Sequence, residues 1–528
     1  MARRGSKQTA AVRAMPLALL VILLGLLPAA VQAAPGNLDP SFGTGGSVIT
    51  DLGGEDYARD VTTDSSGRVV VVGRSERSNQ TESEAIVVRY TASGQLDPTF
   101  GGGDGIVPLH FGVGSFDSAA AVAIDGSGRI MVAGGTESDI SCTSYCHAAI
   151  ARLTSNGQLD PSFAGDGTVT INVDHNRATS VAIDASGRVL VGTDSAVYRF
   201  TEAGMLDSSF GNSGMAPLAA GSFAGLAIDG AGRIVAAEYY AVERLLDTGE
   251  PDPSFSEDGV VFTNGDVPGS SDFVETMAVD GNNRIVLGGI TFLPESEIDG
   301  QPFVMRYTSS GTLDPSIAGD GVVLGGEEGR INDLTIDNDG RYLAVGYSDE
   351  LSPTSDILIR YLPDGSLDPG FGGSFGFAQV PFFTRSVTTD PDQRIVVAGI
   401  GGEDIDFAVA RYLGDTTLSP SPPPPSPSLP ALNGSPGPTA HSDAPRTKLG
   451  KAIIRRHSRV ATFTFSAPGR ADTTFRCKLD SGPFTPCRSP KTYRALKPGR
   501  HVFRVQASDA LGQIDKTPAI KRFRISRA

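Results

Sequence analysis

Short apolar runs separated by turn-forming residues dominate this chain. Runs such as Arg129-Ile-Met-Val-Ala133 and Arg394-Ile-Val-Val-Ala398 lack any apolar/polar alternation, which predicts strands covered on both faces. Each follows a strand that ends in Asp and a tight turn, as at Val61–Asp64, Val122–Asp125, Val181–Asp184, Leu226–Asp229, Met277–Asp280, Leu334–Asp337 and Val387–Asp390. A third run carries an Arg near its end, as in Ala85-Ile-Val-Val-Arg89-Tyr90, and a fourth, less regular strand follows, as at Gly167–Val173.

These strands belong to one pattern written seven times. Its clearest piece, L-D-P-[ST]-F-G, stands at Leu38–Gly43, Leu96–Gly101, Leu159–Phe163, Leu206–Gly211, Pro251–Phe255, Leu313–Ile317 and Leu367–Gly372, with successive copies 58, 63, 47, 45, 62 and 54 residues apart. A period of that size marks a repeat architecture in which each unit is one small sheet that neighbours must cover. Four strands per unit, covered on both faces, predict an all-β fold with a seven-bladed β-propeller over residues 36–415. The chain opens on an L-D-P segment and its last repeat, ending at Phe407–Tyr412, has none after it. The N-terminal strand is therefore expected to complete the last blade and remove two exposed edges.

The combination of L-D-P-x-F-G, D-x-x-G-R-[IV]-V-V-A-G and A-V-A-R-Y resembles the delta-sixty repeat family of bacterial β-propellers, which has no established function. In strand order it also resembles the more general NHL-type propellers. Some copies depart from the pattern: Asp207-Ser208 lacks the Pro, Pro251 replaces Leu, and Asn283 and Gln393 replace the turn Gly.

Beyond the repeats the pattern changes. Ser419-Pro-Ser-Pro-Pro-Pro-Pro-Ser-Pro lies in a Pro-rich linker, 416–445, that lacks the apolar residues of a core. Residues 446–528 return to alternation, as in Val460–Phe465 and His501-Val-Phe-Arg-Val505, and predict a small immunoglobulin-like β-sandwich. The patterns at Phe475–Pro490 and Leu496–Asp509 resemble bacterial extracellular immunoglobulin-like modules, which implies a spacer or adhesive role.

Composition adds location and charge. Residues 1–33 begin with Arg3, Arg4, Lys7 and Arg13, continue as an apolar run from Met15 to Ala30, and end in Val31-Gln32-Ala33. This reads as a signal peptide, with an uncleaved anchor as the alternative. No other stretch is apolar enough to span a bilayer, so a secreted or cell-surface protein is expected. Four Cys in two local pairs, Cys142 with Cys146 and Cys477 with Cys487, suggest disulfides in an exported chain. Cys142, Cys146 and His147 offer fewer than the four ligands of a structural metal site. Net charge is −16, but residues 446–528 hold 20 basic and 4 acidic residues while 34–445 hold 20 basic and 56 acidic. The acidic surface argues against nucleic acid. The opposite charges predict salt-sensitive association of the two regions, or a basic module facing anionic cell-wall polymers.

Sevenfold residues, such as the Asp that ends each first strand and the Arg of each third strand, are expected to be structural, because an active site normally occurs once. Calcium at each D-x-x-G is the alternative, but those motifs supply too few of the six to eight oxygens it takes. Function is expected in the loops that vary. The long loops between second and third strands carry Glu76, Glu82, Glu84, Glu137, Asp139, Glu295, Glu297, Asp299, Asp349, Glu350 and Asp356. These form either a solvated rim or a binding face for a cationic partner. None of the six His joins a nucleophile or zinc motif, and the absence of Trp weakens sugar stacking. The expectation is a monomeric, exported, non-enzymatic binding or adhesion protein without a cofactor, its partner an extracellular protein or cell-wall polymer. The alternative is an extracellular hydrolase or lyase with a carboxylate site in the propeller channel.

Overall fold

The computed structural model describes residues 34–76, 82–111, 116–137, 146–171, 177–263, 270–293, 300–325, 328–348, 352–402, 405–415, 446–455, 460–467, 473–480, 484–489, 491–494, 496–508, 515 and 519–525. The expected signal peptide and Pro-rich linker lie outside them. The chain divides into two compact units, Met1–Ser421 and Pro422–Ala528. Both are all-β, with one short 3-10 turn at Gly372–Ser374 among the described residues.

The first unit holds seven four-stranded antiparallel sets. In the first set the strands are Glu55–Thr63, Val69–Glu76, Ser83–Tyr90 and Ile106–Leu109. The first strands of the other sets are Phe116–Ile124, Ala178–Ile183, Phe223–Ile228, Ser271–Val279, Gly329–Ile336 and Phe383–Thr389. Each packs beside the first strand of the next set, and that of the seventh packs against that of the first, so the order is cyclic. The seventh set takes its outer strand from the other end of the chain: Ser47–Thr50 pairs with Asp406–Tyr412, Ser47 opposite Ala410 and Thr50 opposite Phe407.

Second and third strands are buried along most of their length. Val69–Val72 and Val87–Val88 are fully buried, and clusters of Val, Ala, Phe and Tyr fill the space between neighbouring sets. Completely covered faces explain the uninterrupted apolar runs. The first strands reach further upstream than their apolar halves suggest, and every one carries a register shift. In the first set Ala58 faces Gly73 and Asp60 faces Val72, leaving Arg59 as the extra residue of a β-bulge. The glycine opposite is forced by space: a Cβ on Gly73 would sit 1.9 Å from the Tyr57 carbonyl oxygen, and one on Gly399 would sit 1.9 Å from that of Phe383.

The repeated charged residues bind the frame together. Asp64 Oδ1 accepts the Ser66 and Arg68 amides, and Oδ2 accepts Arg68 Nε at 2.6 Å. The same Asp–Arg pairing recurs in the other six sets. The third-strand Arg is nearly fully buried: Arg89, Arg152, Arg199, Arg244, Arg306, Arg360 and Arg411 each donate Nε to the L-D-P Asp at 2.8 Å. Most lie over the following Phe ring, 4.3 Å away for Arg89 and Phe100. Several also reach a carbonyl of the neighbouring set, as Arg411 Nη1 does to Ala92 O at 2.6 Å. These carboxylates therefore already spend their oxygens on guanidinium and backbone donors.

The second unit has two sheets, one of Lys448–Arg455, Val460–Ser466 and Lys491–Tyr493, the other in the order Thr485–Cys487, Thr474–Leu479, Gly499–Ser508, Ala519–Ile525. Phe463 and Phe503 stack at 4.1 Å in its core. A disulfide joins Cys477 to Cys487. Cys142 and the Cys146 side chain lie outside the described residues.

Candidate binding face at the axis mouth

The bulge fixes which residues can vary. Paired positions on a first strand are tied to the second strand and to the neighbouring sets, whereas the extra residue is released from the ladder. Counting back five residues from the repeated Asp gives Arg59, Ala120, Thr179, Ala224, Glu275, Asn332 and Arg385, the bulge residue of each set in turn. The preceding loops and the turns between second and third strands lie at the same end of the sets.

Arg59 and Arg385 are exposed. Confinement of the Arg59 guanidinium, then the positive charges of Arg74, Arg385 and Arg177, pull its pKa down to about 10. It remains a cation at physiological pH. Arg177 precedes the first strand of the third set; its charge acts on Arg59 and on Asp194. Arg74 is engaged, with Nη2 2.5 Å from Glu76 Oε1 and the guanidinium 4.7 Å from the Tyr57 ring centre. Arg330 pairs with Glu275 at 2.6 Å.

One residue further along, the first strands carry a polar belt on four successive sets. Asp60 Oδ1 accepts Val61 N and Ser386 Oγ, both at 2.8 Å, and Oδ2 accepts Val122 N at 2.8 Å. Asp333 accepts Thr276 Oγ1 and Leu334 N on Oδ1 and Val387 N on Oδ2, each at 2.8 Å. The two carboxylates thus staple adjacent first strands. Burial, then the charge of Asp333, raises Asp60 to about 6, and burial raises Asp333 as well.

Aromatic side chains gather at the same end. Tyr239, Tyr240, Phe273 and Phe292 form a chain of ring contacts at 5.1–6.5 Å. Phe262 and Phe383 are 61% and 70% exposed. Phe262 and Phe383 thus leave apolar ring surface in solvent.

The expected acidic rim is corrected in part. Glu76 and Asp356 belong to strands, not loops, and are buried. Glu76 pairs with Arg74, and Asp356 Oδ2 accepts Thr384 N at 2.6 Å and Thr384 Oγ1 at 2.7 Å. Burial cost is met there by local donors, and such carboxylates present nothing to a partner. Burial also raises the pKa of Asp356. Glu82 is exposed and Glu84 half-buried, both with partners. Glu137 ends a strand; its side chain, with Asp139, Glu295, Glu297, Asp299, Asp349 and Glu350, lies outside the described residues.

One carboxylate group has metal-like spacing. Oxygens of Asp51, Asp56 and Asp406 lie within 4.8 Å of one another. They join the end of the N-terminal strand to the start of the last third strand, and Asp56 Oδ2 accepts Leu52 N at 2.6 Å. Burial, with Asp406 and Asp51 nearby, raises Asp56. A cavity of about 550 Å³ beside it is lined by Asp51, Leu52, Ser75, Glu84 and Asp104 among others. These are the described residues that could hold a cation.

Residues 65–100, 126–163 and 338–371 match the model of a family described as a domain of unknown function (DUF5122) beta-propeller, which supports a propeller family for the repeats. No curated protein matches the chain. Among solved structures it is similar to the beta-propeller domain of the Trilobed protease from Pyrococcus furiosus, at 11% identity over 69% of this chain and 95% of that one, TM-score 0.37. It is also similar to the Cps50 (Swd1) beta-propeller domain of Myceliophteria thermophila, at 9% identity over 70% and 98%, TM-score 0.36. A third likeness is a protein of unknown function from Bacteroides caccae, at 11% over 62% and 94%, TM-score 0.30.

Proposed function

We propose that this is an exported, non-enzymatic binding protein of the delta-sixty repeat kind, with a seven-bladed propeller that takes its ligand at the axis mouth and an immunoglobulin-like module behind a Pro-rich spacer. The observation that carries the reading is the contrast between registers. Charged pairs that repeat in every set are consumed by the frame, while the bulge position holds seven residues of mixed chemistry, two of them arginines with no hydrogen bond or ion pair among the described residues. The Cys477–Cys487 bond is compatible with a secreted or cell-surface location. In this reading the protein is a monomer, needs no cofactor, and has an extracellular polymer or protein as partner.

A screen of extracellular polymers and secreted proteins against the mature chain tests this, run beside the variant Phe383→Ser. Capture should fall in the variant; a ligand captured equally by both would place binding elsewhere and refute the reading.

The hydrolase or lyase reading draws on Asp60 and Asp333, two carboxylates of raised pKa on different sets. Against it, each of their oxygens already accepts a backbone or hydroxyl donor. Release of soluble fragments from a captured polymer, abolished by Asp60→Asn, would favour it.

A further inference from the structure

We propose that the axis mouth binds the carboxylate of an acidic saccharide, the oxyanion held by Arg59 and Arg385 and the sugar ring stacked on Phe383. This rests on the binding-face reading above and names its ligand class.

Arg59 and Arg385 come from neighbouring first strands, since the first strand of the seventh set packs against that of the first. Neither guanidinium has a hydrogen bond or ion pair among the described residues. The nearest acids are largely committed to other donors, and of them Asp356 also feels the charge of Arg385. Asp60 is occupied by Val61, Val122 and Ser386, Asp356 by Thr384, and Glu275 by Arg330. Like charges held together with so little compensation repel, and the repulsion is relieved when an oxyanion enters. A guanidinium presents paired donors in a plane, which suits a carboxylate.

Phe383 supplies a second, independent feature. It lies two residues from Arg385 on one strand, and both are exposed while Thr384 between them is buried. A bare aromatic plane beside guanidiniums matches a molecule with an apolar ring face and an acidic group. A uronic acid has both, whereas a free inorganic anion uses only the arginines and a neutral sugar only the ring.

Isothermal titration of the mature chain at low salt is the test, with oligogalacturonate, the neutral galacto-oligosaccharide of equal length, a sulfated oligosaccharide and inorganic phosphate as probes. Oligogalacturonate should bind, weaken at least tenfold in Arg59→Ala and in Arg385→Ala, and weaken severalfold in Phe383→Ala. Circular dichroism and melting should be unchanged, because these side chains are exposed. The neutral oligomer binding as well as the uronate would overturn the anion assignment while leaving the binding-face reading intact. Phosphate alone binding as tightly as the uronate, or tighter binding of the sulfated probe, would overturn the carboxylate saccharide as ligand. Uronate binding unaffected by all three variants would overturn both the site and the reading beneath it. No binding of any probe by the wild type would overturn the proposal.

Discussion

Replacing Asp39 by Asn tests whether the N-terminal segment is a structural member of the last set. Asp39 Oδ2 accepts Arg411 Nε at 2.8 Å across 372 residues of chain, and Oδ1 accepts Ser41 N at 2.9 Å and Ser41 Oγ at 2.7 Å. The Arg411 side chain is 1% exposed and that of Asp39 5%. An amide keeps the Ser41 contacts but leaves a buried cation uncompensated, which costs about 3–5 kcal/mol. Asp390 Oδ2 lies 3.9 Å from Arg411 Nη1 and offsets part of this, so the expected loss is about 3 kcal/mol. At about 2.1 cal/mol/K per residue, a cooperative unit of roughly 380 residues has an unfolding entropy near 0.8 kcal/mol/K, so Tm should fall by about 4 °C.

Urea unfolding at neutral pH is the assay, with Asp160→Asn as reference. Arg152 Nε donates to Asp160 at the same 2.8 Å, only 8 residues apart in sequence. If the N-terminal segment is integral, Asp39→Asn costs nearly as much as Asp160→Asn, and a double-mutant cycle with Arg411→Leu gives a coupling above about 1 kcal/mol. A loss below about 1 kcal/mol in Asp39→Asn beside a normal loss in Asp160→Asn would refute the reasoning.

Further outcomes follow from the same structure. Gly399→Ala should destabilise by about 3 kcal/mol, at the upper end of overpacking costs, because its Cβ would meet the Phe383 carbonyl at 1.9 Å; Gly126→Ala, with nothing within 4 Å, should leave the urea midpoint unchanged. Stability should peak in mild acid. Asp39, Asp97, Asp160, Asp207, Asp252 and Asp314 are held below the ordinary value by Ser or Thr and Arg contacts that outweigh burial, so their contribution is lost as pH falls below about 4. Asp60, raised to about 6 by burial, favours the fold when protonated, and that contribution fades as pH rises from about 4 through 6; Asp60→Asn should flatten the slope in this window, and an unchanged slope would contradict the assignment. Cys477→Ser/Cys487→Ser opens a bridge spanning 10 residues and should lower the stability of the second unit by about 3 kcal/mol, leaving the transition of the first unit in place.

What the chain shows without its fold follows the physics of repetition. Apolar runs such as Val69–Val72 sit between two covered faces, so their sequence shows their burial directly. The L-D-P Asp and third-strand Arg meet in every set, and seven occurrences mark them as frame. The site was harder to read because it is defined by a register shift. The upstream halves of first strands look like loops: Glu55–Asp60 in the first set carries charges, and Phe383–Ser386 in the seventh mixes polar and apolar residues. Their bulges show no periodicity. Aligning the copies on the Asp at position 64 and its equivalents, then counting back five, would have isolated Arg59 and Arg385. Two of the acidic positions misled in the other direction, because charge along a sequence says nothing about depth. Glu76 and Asp356 end as buried partners of Arg74 and Thr384.

For the carboxylate site proposed above, net charge is opposite in sign to the axis mouth. Residues 34–445 carry 20 basic against 56 acidic side chains, a balance that suggests a surface for cations. Yet much of that acidity is internal. The L-D-P carboxylates lie under arginines, and Asp60 and Asp333 are stapled to backbone amides. At physiological salt the screening length is about 8 Å, so distant carboxylates on the outer surface contribute little at the opening, whereas Arg59 and Arg385 act at close range. The acidic exterior and the basic mouth therefore act on different steps. The exterior slows approach of an anion at low ionic strength, while the guanidiniums hold it once it arrives. Added salt weakens both effects, so an anionic ligand here should lose less affinity with salt than one bound to an exposed basic patch.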